Sequence, residues 1–455
     1  MFNIIVPNNI SLSFDYVTPN DVRDAITSLS ASRAKDIYGM NSYLIKRNIN
    51  MFISPLTLLI NGCIRSGTFP DCLKVALVLP LFKKGNAEDM SNYRPISLLP
   101  VFSKIFERIV EKRLRHYFET NKLFYTNQYG FRNGKATTDA LITFVNNAVL
   151  CFEQGKYAVS AFCDLSKAFD CVNHNVLLQK LKKYGLNNMA IKLIQSYLFN
   201  RMQAVKIGNS ISNLAHLRRG VPQGSVLGPL LFLIYINDMP YYSSRALSIF
   251  FADDTTLNVS SHSLDDAISK SSLAINDAEM WFAANDLTLN RNKTQTSIFA
   301  LRPFTTTGKF SHNSIFLGMR MDCKLRWNEH VNYVSTKLAG NIFALRNLAN
   351  YVSPNVLRIA YFALCQSHMA YGIVIWGHAP TAKSVFSLQR RAIRIIARIP
   401  YRANCKPMFI EFGIMTFYSL YVYSCLCYAK ANLQCFNTHK DFHAYNTRNS
   451  ENLCN

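Results

Sequence analysis

Acidic residues are scarce in this sequence. Asp and Glu number 27 against 50 Lys and Arg, which leaves a formal charge of +23. A surplus of that size points to a polyanionic partner, with nucleic acid first and an acidic membrane surface second. Long hydrophobic runs are missing as well. The longest, Leu230–Ile236 with its neighbours, is too short to span a bilayer, so the membrane reading loses its support. The opening MFNIIVPNNI has no basic n-region and no signal-peptide form. No low-complexity segment and no repeat at solenoid spacing is present. The chain therefore reads as an intracellular protein, of the nucleus and cytoplasm.

Cysteine is not lacking. Twelve are scattered over the length, and without a secretory signal they read as reduced thiols. The cluster Cys425, Cys427, Cys435, His439 and His443 fits no standard structural zinc spacing. Cys425 and Cys427 lie two apart in a helix-like run, which aims them at different faces. With 455 residues, 49% hydrophobic and 13% aromatic, the chain has material for about two to four folding units.

Local patterns set out the elements. Thr18-Pro19-Asn20-Asp21 opens a helix with a capping box, and Val22, Ala25, Ile26 and Leu29 follow at helical spacing. Val75–Phe82 reads as a strand ended by Lys83-Lys84-Gly85. Residues 103–118 read as a helix with Lys104, Arg108 and Lys112 on one face. YAVSAFCD (157–164) reads as a strand, and 175–184 and 264–285 as amphipathic helices. Beyond residue 328 the pattern is mainly helical. Ser353-Pro354 starts one helix, and Arg390, Arg394 and Arg398 fall on one face of another. Strands alternating with helices, then mostly helices, suggest an α+β core with a helical addition.

Within this framework FFADDTTL (250–257) is anomalous. Two β-prone runs flank Asp253 and Asp254, which predicts a tight hairpin whose turn residues tolerate positive φ. An acidic tip on a surface hairpin is the ordinary explanation. Asp164, at the end of YAVSAFCD, also has an ordinary explanation as a helix cap. If the three acids meet, however, their repulsion demands cations between them. Mg²⁺ prefers carboxylate and phosphate oxygens, and two such ions about 3.5–4 Å apart suit an in-line phosphoryl transfer.

With those residues in view, nearly the whole chain resembles the reverse transcriptases of non-LTR, LINE-like retrotransposons of jockey type. The motifs that carry the resemblance run in the family's order: NYRPISLLPVFSKIFERIV (92–110), QYGFR (128–132), FCDLSKAFDCVNH (162–174), GVPQGSVLGPLLFLIYINDMP (220–240), FADDTTL (251–257), LTLNRNKT (287–294) and FLGM (316–319).

The resemblance implies an α+β right-hand polymerase fold. It implies an N-terminal helical extension over 1–62, fingers and palm over 63–321, a helical thumb over 322–400 and a C-terminal helical region over 401–455. It implies an RNA-directed DNA polymerase that takes an RNA template, a DNA primer and deoxynucleoside triphosphates, with two Mg²⁺ ions. Asp164, Asp253 and Asp254 would hold the metals, and Lys293 would protonate the departing pyrophosphate. Phe169 would lie under the incoming sugar, Gln223 would contact nucleotide and template, and Arg94 and Lys83 would meet the triphosphate. Leu317 and Gly318 would belong to the primer grip. Arg390, Arg394 and Arg398 would contact duplex phosphates.

Taken singly, Phe169 would be core, Gln223 a turn residue, and Lys83 and Lys293 solvated charges. Only their places in the motif series raise them. Full-length elements of this type carry an endonuclease before the polymerase. Nothing in this chain resembles it, so that activity is expected from elsewhere and the chain reads as a truncated copy or a piece of a larger polyprotein. The rival readings are an RNA-templated RNA polymerase, against which Phe169 argues, and a catalytically silent nucleic-acid-binding remnant, against which the intact acids argue.

Overall fold

The computed structural model describes residues 10–305, 310–311 and 313–433. In chain order the elements are α1 (Pro19–Ser28), α2 (Ser42–Arg47), α3 (Ile49–Ser66), β1 (Val75–Phe82), β2 (Tyr93–Leu98), α4 (Val101–Thr120), α5 (Thr137–Glu153), β3 (Tyr157–Cys163), α6 (His174–Lys183), α7 (Asn188–Leu198), β4 (Arg201–Ile207), β5 (Ser210–Ile211), β6 (Ala215–Leu217), α8 (Gly228–Ile236), β7 (Leu247–Phe251), β8 (Asp254–Ser261), α9 (Leu264–Ala284) and β9 (Gln295–Phe299). Then come β10 (Asn313–Phe316), β11 (Met319–Asp322), α10 (Asn328–Leu348), α11 (Pro354–Tyr361), α12 (Ser367–Ala370), α13 (Ile373–Trp376), α14 (Lys383–Ala397), α15 (Lys406–Glu411) and α16 (Phe417–Ala431). The chain falls into two compact units, residues 1–140 with 159–296 and residues 141–158 with 297–455.

The first unit carries two sheets. In one, the order is β2–β1–β4–β5, with β6 also on β4. β1 and β2 run antiparallel with Leu81 opposite Arg94, while β1 and β4 run parallel. In the other, the order is β7–β8–β3, and β7 and β8 form a hairpin closed by Phe251 opposite Asp254. The capping box of α1 forms as the sequence predicts: Asp21 N–H donates to the Thr18 hydroxyl at 3.2 Å, and Thr18 N–H donates to the Asp21 carboxylate at 3.0 Å.

The core centres on α8, where Leu230, Leu231, Phe232, Leu233, Ile234 and Tyr235 are all fully buried. A helix apolar on every side belongs inside, which is why this run is a core element and not a membrane segment. Among the described residues no helix is long and apolar enough to cross a membrane. The polar end of the same motif is structural. Asn237 accepts from Tyr125 N–H at 2.8 Å and donates to Leu123 O and the Tyr184 hydroxyl. Asp238 accepts from the buried Lys180 ammonium at 2.6 Å.

In the second unit the hairpin β10–β11 turns at Leu317 and Gly318, both left-handed with φ of 47° and 81°. The Tyr371 hydroxyl donates to the Leu317 carbonyl. The helices are tied by Gln389, which donates to the Tyr361 hydroxyl and Met415 O and accepts from Phe417 N–H. Cys425 and Cys427 lie in α16, while Cys435, His439 and His443 lie outside the described residues.

Candidate active site

The sequence places Asp253 and Asp254 together at the hairpin join, with the turn's positive φ carried by Asp. The structure corrects this. The two-residue loop is Ala252-Asp253, and Asp254 is already the first residue of β8. The left-handed position is Ala252, with φ of 57°. Asp253 is thereby freed to orient its carboxylate while its neighbour takes the unfavourable backbone.

Asp164 follows directly on β3, the strand beside β8. A buried bond of 2.7 Å from the Ser160 hydroxyl to Asn258 joins those two strands. The three acids share one electrostatic neighbourhood. Burial lifts the Asp253 carboxyl above its ordinary value, and the charge of Asp164 adds to this. A bond from Asp253's own backbone N–H and the charges of Arg94 and Lys83 oppose it. Asp254 is pushed up to about 6, first by burial and then by the charges of Asp253 and Asp164, with Lys83 opposing. Carboxylates buried within reach of further negative charge are the environment a cation relieves. Carboxylate oxygens are the donors a hard divalent ion prefers, so the residues fit such an ion in charge and chemistry. Among the described residues, however, no three His, Cys, Asp or Glu side chains form a ready-made metal cluster. Instead, the Lys293 ammonium lies 3.5 Å from Asp164 Oδ2, both partly open to solvent, and Asn290 N–H donates to the Asp164 carbonyl at 2.8 Å.

Phe169 is half-buried. Its ring stacks on Phe232 of α8 with centroids 4.4 Å apart, and the edge-on ring of Phe131 lies 6.2 Å away. Gln223 donates from Nε2 to Asp170 Oδ1 at 3.1 Å, and its carbonyl accepts from Ser97 N–H at 2.7 Å. Arg94 on β2 and Lys83 just after β1 are exposed, joined to the site by their effect on Asp253.

In the second unit Arg390 lies over the Phe386 ring and Arg394 donates to Ala403 O at 2.8 Å. Arg398 departs from the expected stripe. It is the left-handed residue ending α14, φ 53°, and its guanidinium donates to Ala349 O and Val352 O. The helical spacing stops one residue before it.

Sequence reasoning assigned no role to Asp170 or Glu107. Asp170 ends the KAFD stretch and is held above its ordinary value, first by burial, with the Gln223 bond opposing. Glu107 is buried in α4. Its Oε1 accepts from the Ser103 hydroxyl, and its Oε2 accepts from Val226 and Leu227 N–H at the start of α8. A carboxylate there satisfies orphan N–H groups and meets the positive end of the helix dipole. The local sequence carries no signal for it, since the same helix face also holds Ser103, Lys104 and Glu111.

The chain matches the family described as Reverse transcriptase (RNA-dependent DNA polymerase) over residues 82–338. It is 30% identical to the "Probable RNA-directed DNA polymerase from transposon BS" of Drosophila melanogaster over 87% of this chain and 46% of that one. It is 27% identical to the "RNA-directed DNA polymerase from mobile element jockey" of the same organism, over 87% of this chain and 45% of that one. The chain spans about half the length of the curated relatives it matches. Telomerase from Candida albicans, solved in complex with a TWJ fragment of telomeric RNA, is similar with a TM-score of 0.47 and 11% identity over 83% of this chain and 69% of that one. The fold is the α+β right-hand polymerase fold, and the chain belongs to the reverse transcriptase family, among those of non-LTR, jockey-type retrotransposons.

Proposed function

We propose that this chain is an RNA-directed DNA polymerase that extends a DNA primer on an RNA template with deoxynucleoside triphosphates. The observation that carries the reading is the raising of both hairpin acids, Asp253 by burial and the charge of Asp164, and Asp254 by burial and the charges of Asp253 and Asp164.

Asp164, Asp253 and Asp254 would hold two Mg²⁺ ions. When bound, the ions supply charge stabilisation for attack of the primer 3′-hydroxyl on the α-phosphate and for the leaving pyrophosphate. Arg94 and Lys83 bring positive charge to the triphosphate, and Lys293 stands ready to give a proton to the leaving group once it releases Asp164. Gln223, fixed by Asp170 and Ser97, presents its amide to nucleotide and template. Leu317 and Gly318 act as the primer grip. Arg390 and Arg394 hold duplex phosphates through charge, which makes binding salt-dependent. Arg398 serves there more weakly, because it is bonded to two carbonyls.

The direct test is primer extension by purified protein on an RNA template with Mg²⁺ and deoxynucleotides. Labelled DNA product is expected, and none forms without the divalent ion. Absence of product with intact template binding would leave a nucleic-acid-binding protein.

Sugar choice gives a sharper result. A ribose 2′-hydroxyl against Phe169 would need volume that the ring occupies. Phe232 behind the ring limits its retreat, and such overpacking typically costs about 1–3 kcal/mol. That is roughly 5- to 150-fold in rate. Phe169→Val is expected to raise the ribonucleotide-to-deoxynucleotide ratio of kcat/KM by a factor in that range. An unchanged ratio would make Phe169 a core residue only.

A further inference from the structure

The QYGFR segment has no role in the reaction as derived above, yet it touches the catalytic hairpin at several points. Phe250 N–H donates to Asn127 O at 2.9 Å, and Tyr129 N–H donates to Phe250 O at 2.8 Å, so the segment lies along β7 like a short extra strand. Gln128 is buried between them. Its side-chain oxygen accepts two backbone donors, Gly130 N–H at 2.9 Å and Ala252 N–H at 3.1 Å. Ala252 is the left-handed residue immediately before Asp253. Gly130 packs so close that a Cβ on it would sit 2.1 Å from Ala252 N.

The segment is itself held from behind. Arg132 makes a two-point pair with Glu119 of α4 at 3.0 and 2.6 Å, and also donates to Tyr125 O. Arg115 of the same helix donates to Phe131 O at 2.6 Å. Phe131 in turn sets its ring edge-on to Phe169. One short segment, anchored on α4, thus meets both the turn that carries Asp253 and the Phe169 ring.

We infer that Gln128 is a positioning residue for the catalytic turn: its amide oxygen captures Ala252 N–H, holds that residue left-handed and so sets the direction of the Asp253 carboxylate. A two-residue hairpin loop leaves outward N–H groups without a ladder partner. A buried donor without a partner is costly, so the acceptor selects one turn conformation over its alternatives. Glycine at 130 is required because only a residue without Cβ lets the segment approach that closely. This inference rests on the reading of Asp253 and Asp254 as the acids of nucleotide transfer.

The test uses the full chain in single-nucleotide primer extension. It measures kcat, KM for the deoxynucleotide, the Mg²⁺ concentration for half-maximal rate, template–primer affinity by anisotropy and thermal unfolding. Gln128→Met keeps the shape and removes the acceptor. It is expected to lower kcat on the order of 10- to 100-fold, as loss of an outer-shell support of metal ligands does. The Mg²⁺ requirement should rise, with KM and duplex affinity near wild type. Wild-type kcat and Mg²⁺ requirement, or a loss that follows duplex affinity or unfolding instead, would overturn the inference. Gly130→Ala perturbs the same contact from its other side and should show the same signature. It decides the matter if Gln128→Met does not fold, and wild-type kinetics there count equally against the proposal. Asp253→Ala separates the two levels. If Asp253→Ala stays active, the reading of the acids fails and this inference with it. If Asp253→Ala is silent while Gln128→Met behaves as wild type, only the positioning role fails.

Discussion

Asp253→Ala or Asp254→Ala is expected to silence primer extension while template–primer binding persists. The acids repel one another in the folded chain, and Lys83 only partly offsets this for Asp254. Their charge serves binding poorly, because a nucleic acid is itself an anion. Its natural use is to hold divalent ions against the phosphates of a nucleotide. Such ions contribute several kcal/mol to the transition state, so losing a ligand should cost at least about a thousandfold in rate. Grip on the duplex comes from elsewhere, from Lys and Arg against phosphates. Removing one acid therefore leaves affinity unchanged or slightly raised. The measurement pairs extension rate with anisotropy on the same preparations. Full extension by either variant would remove these residues from the chemistry. Equal loss of binding and extension would make them structural.

Much of the site was legible because its signals are local. The strands of the hairpin, the strand before Asp164 and the capping box of α1 follow from side chains a few residues apart. What was not legible depends on contacts between distant segments. The positive φ fell to Ala252 and not to an Asp, because Gln128, more than a hundred residues earlier, accepts from the Ala252 N–H. No propensity of the octapeptide FFADDTTL contains that information. Arg398 has the spacing of a helical stripe, but α14 ends one residue before it, and two carbonyls at Ala349 and Val352 claim its guanidinium. Glu107 and Asp238 look like solvated acids in a charged sequence. They are buried because each meets donors brought to it by another helix. Asn237 and Asp238 end the motif that holds Gln223, and their bonds go into the core.

Breaking the Lys180–Asp238 pair is expected to destabilise that core severely. Lys180 is fully buried on α6, and its ammonium donates to Asp238 Oδ1 and to Tyr235 O, both at 2.6 Å. The Trp281 ring of α9 lies 4.4 Å beneath it. Burial nevertheless pulls Lys180 down to about 8, and the attraction of Asp238 does not recover the difference. Desolvation thus outweighs pairing, as is common for ions taken out of water. The pair is weak as a source of stability but severe when halved. In Lys180→Met, the buried Asp238 carboxyl loses its cationic partner, and its Oδ2 already lacks a hydrogen-bond partner. The expected loss is about 3–5 kcal/mol, the usual result of leaving one buried charge uncompensated. Asp238→Leu should lose a similar amount by stranding the ammonium against Tyr235 and Trp281. The double variant Lys180→Met with Asp238→Leu removes both charges and fills the space with apolar atoms. It should recover most of the loss, giving a large coupling energy in a double-mutant cycle read by chemical denaturation. Losses that simply add would mean each side chain acts through its own packing, and the pair would have no part in joining α6 to the end of α8.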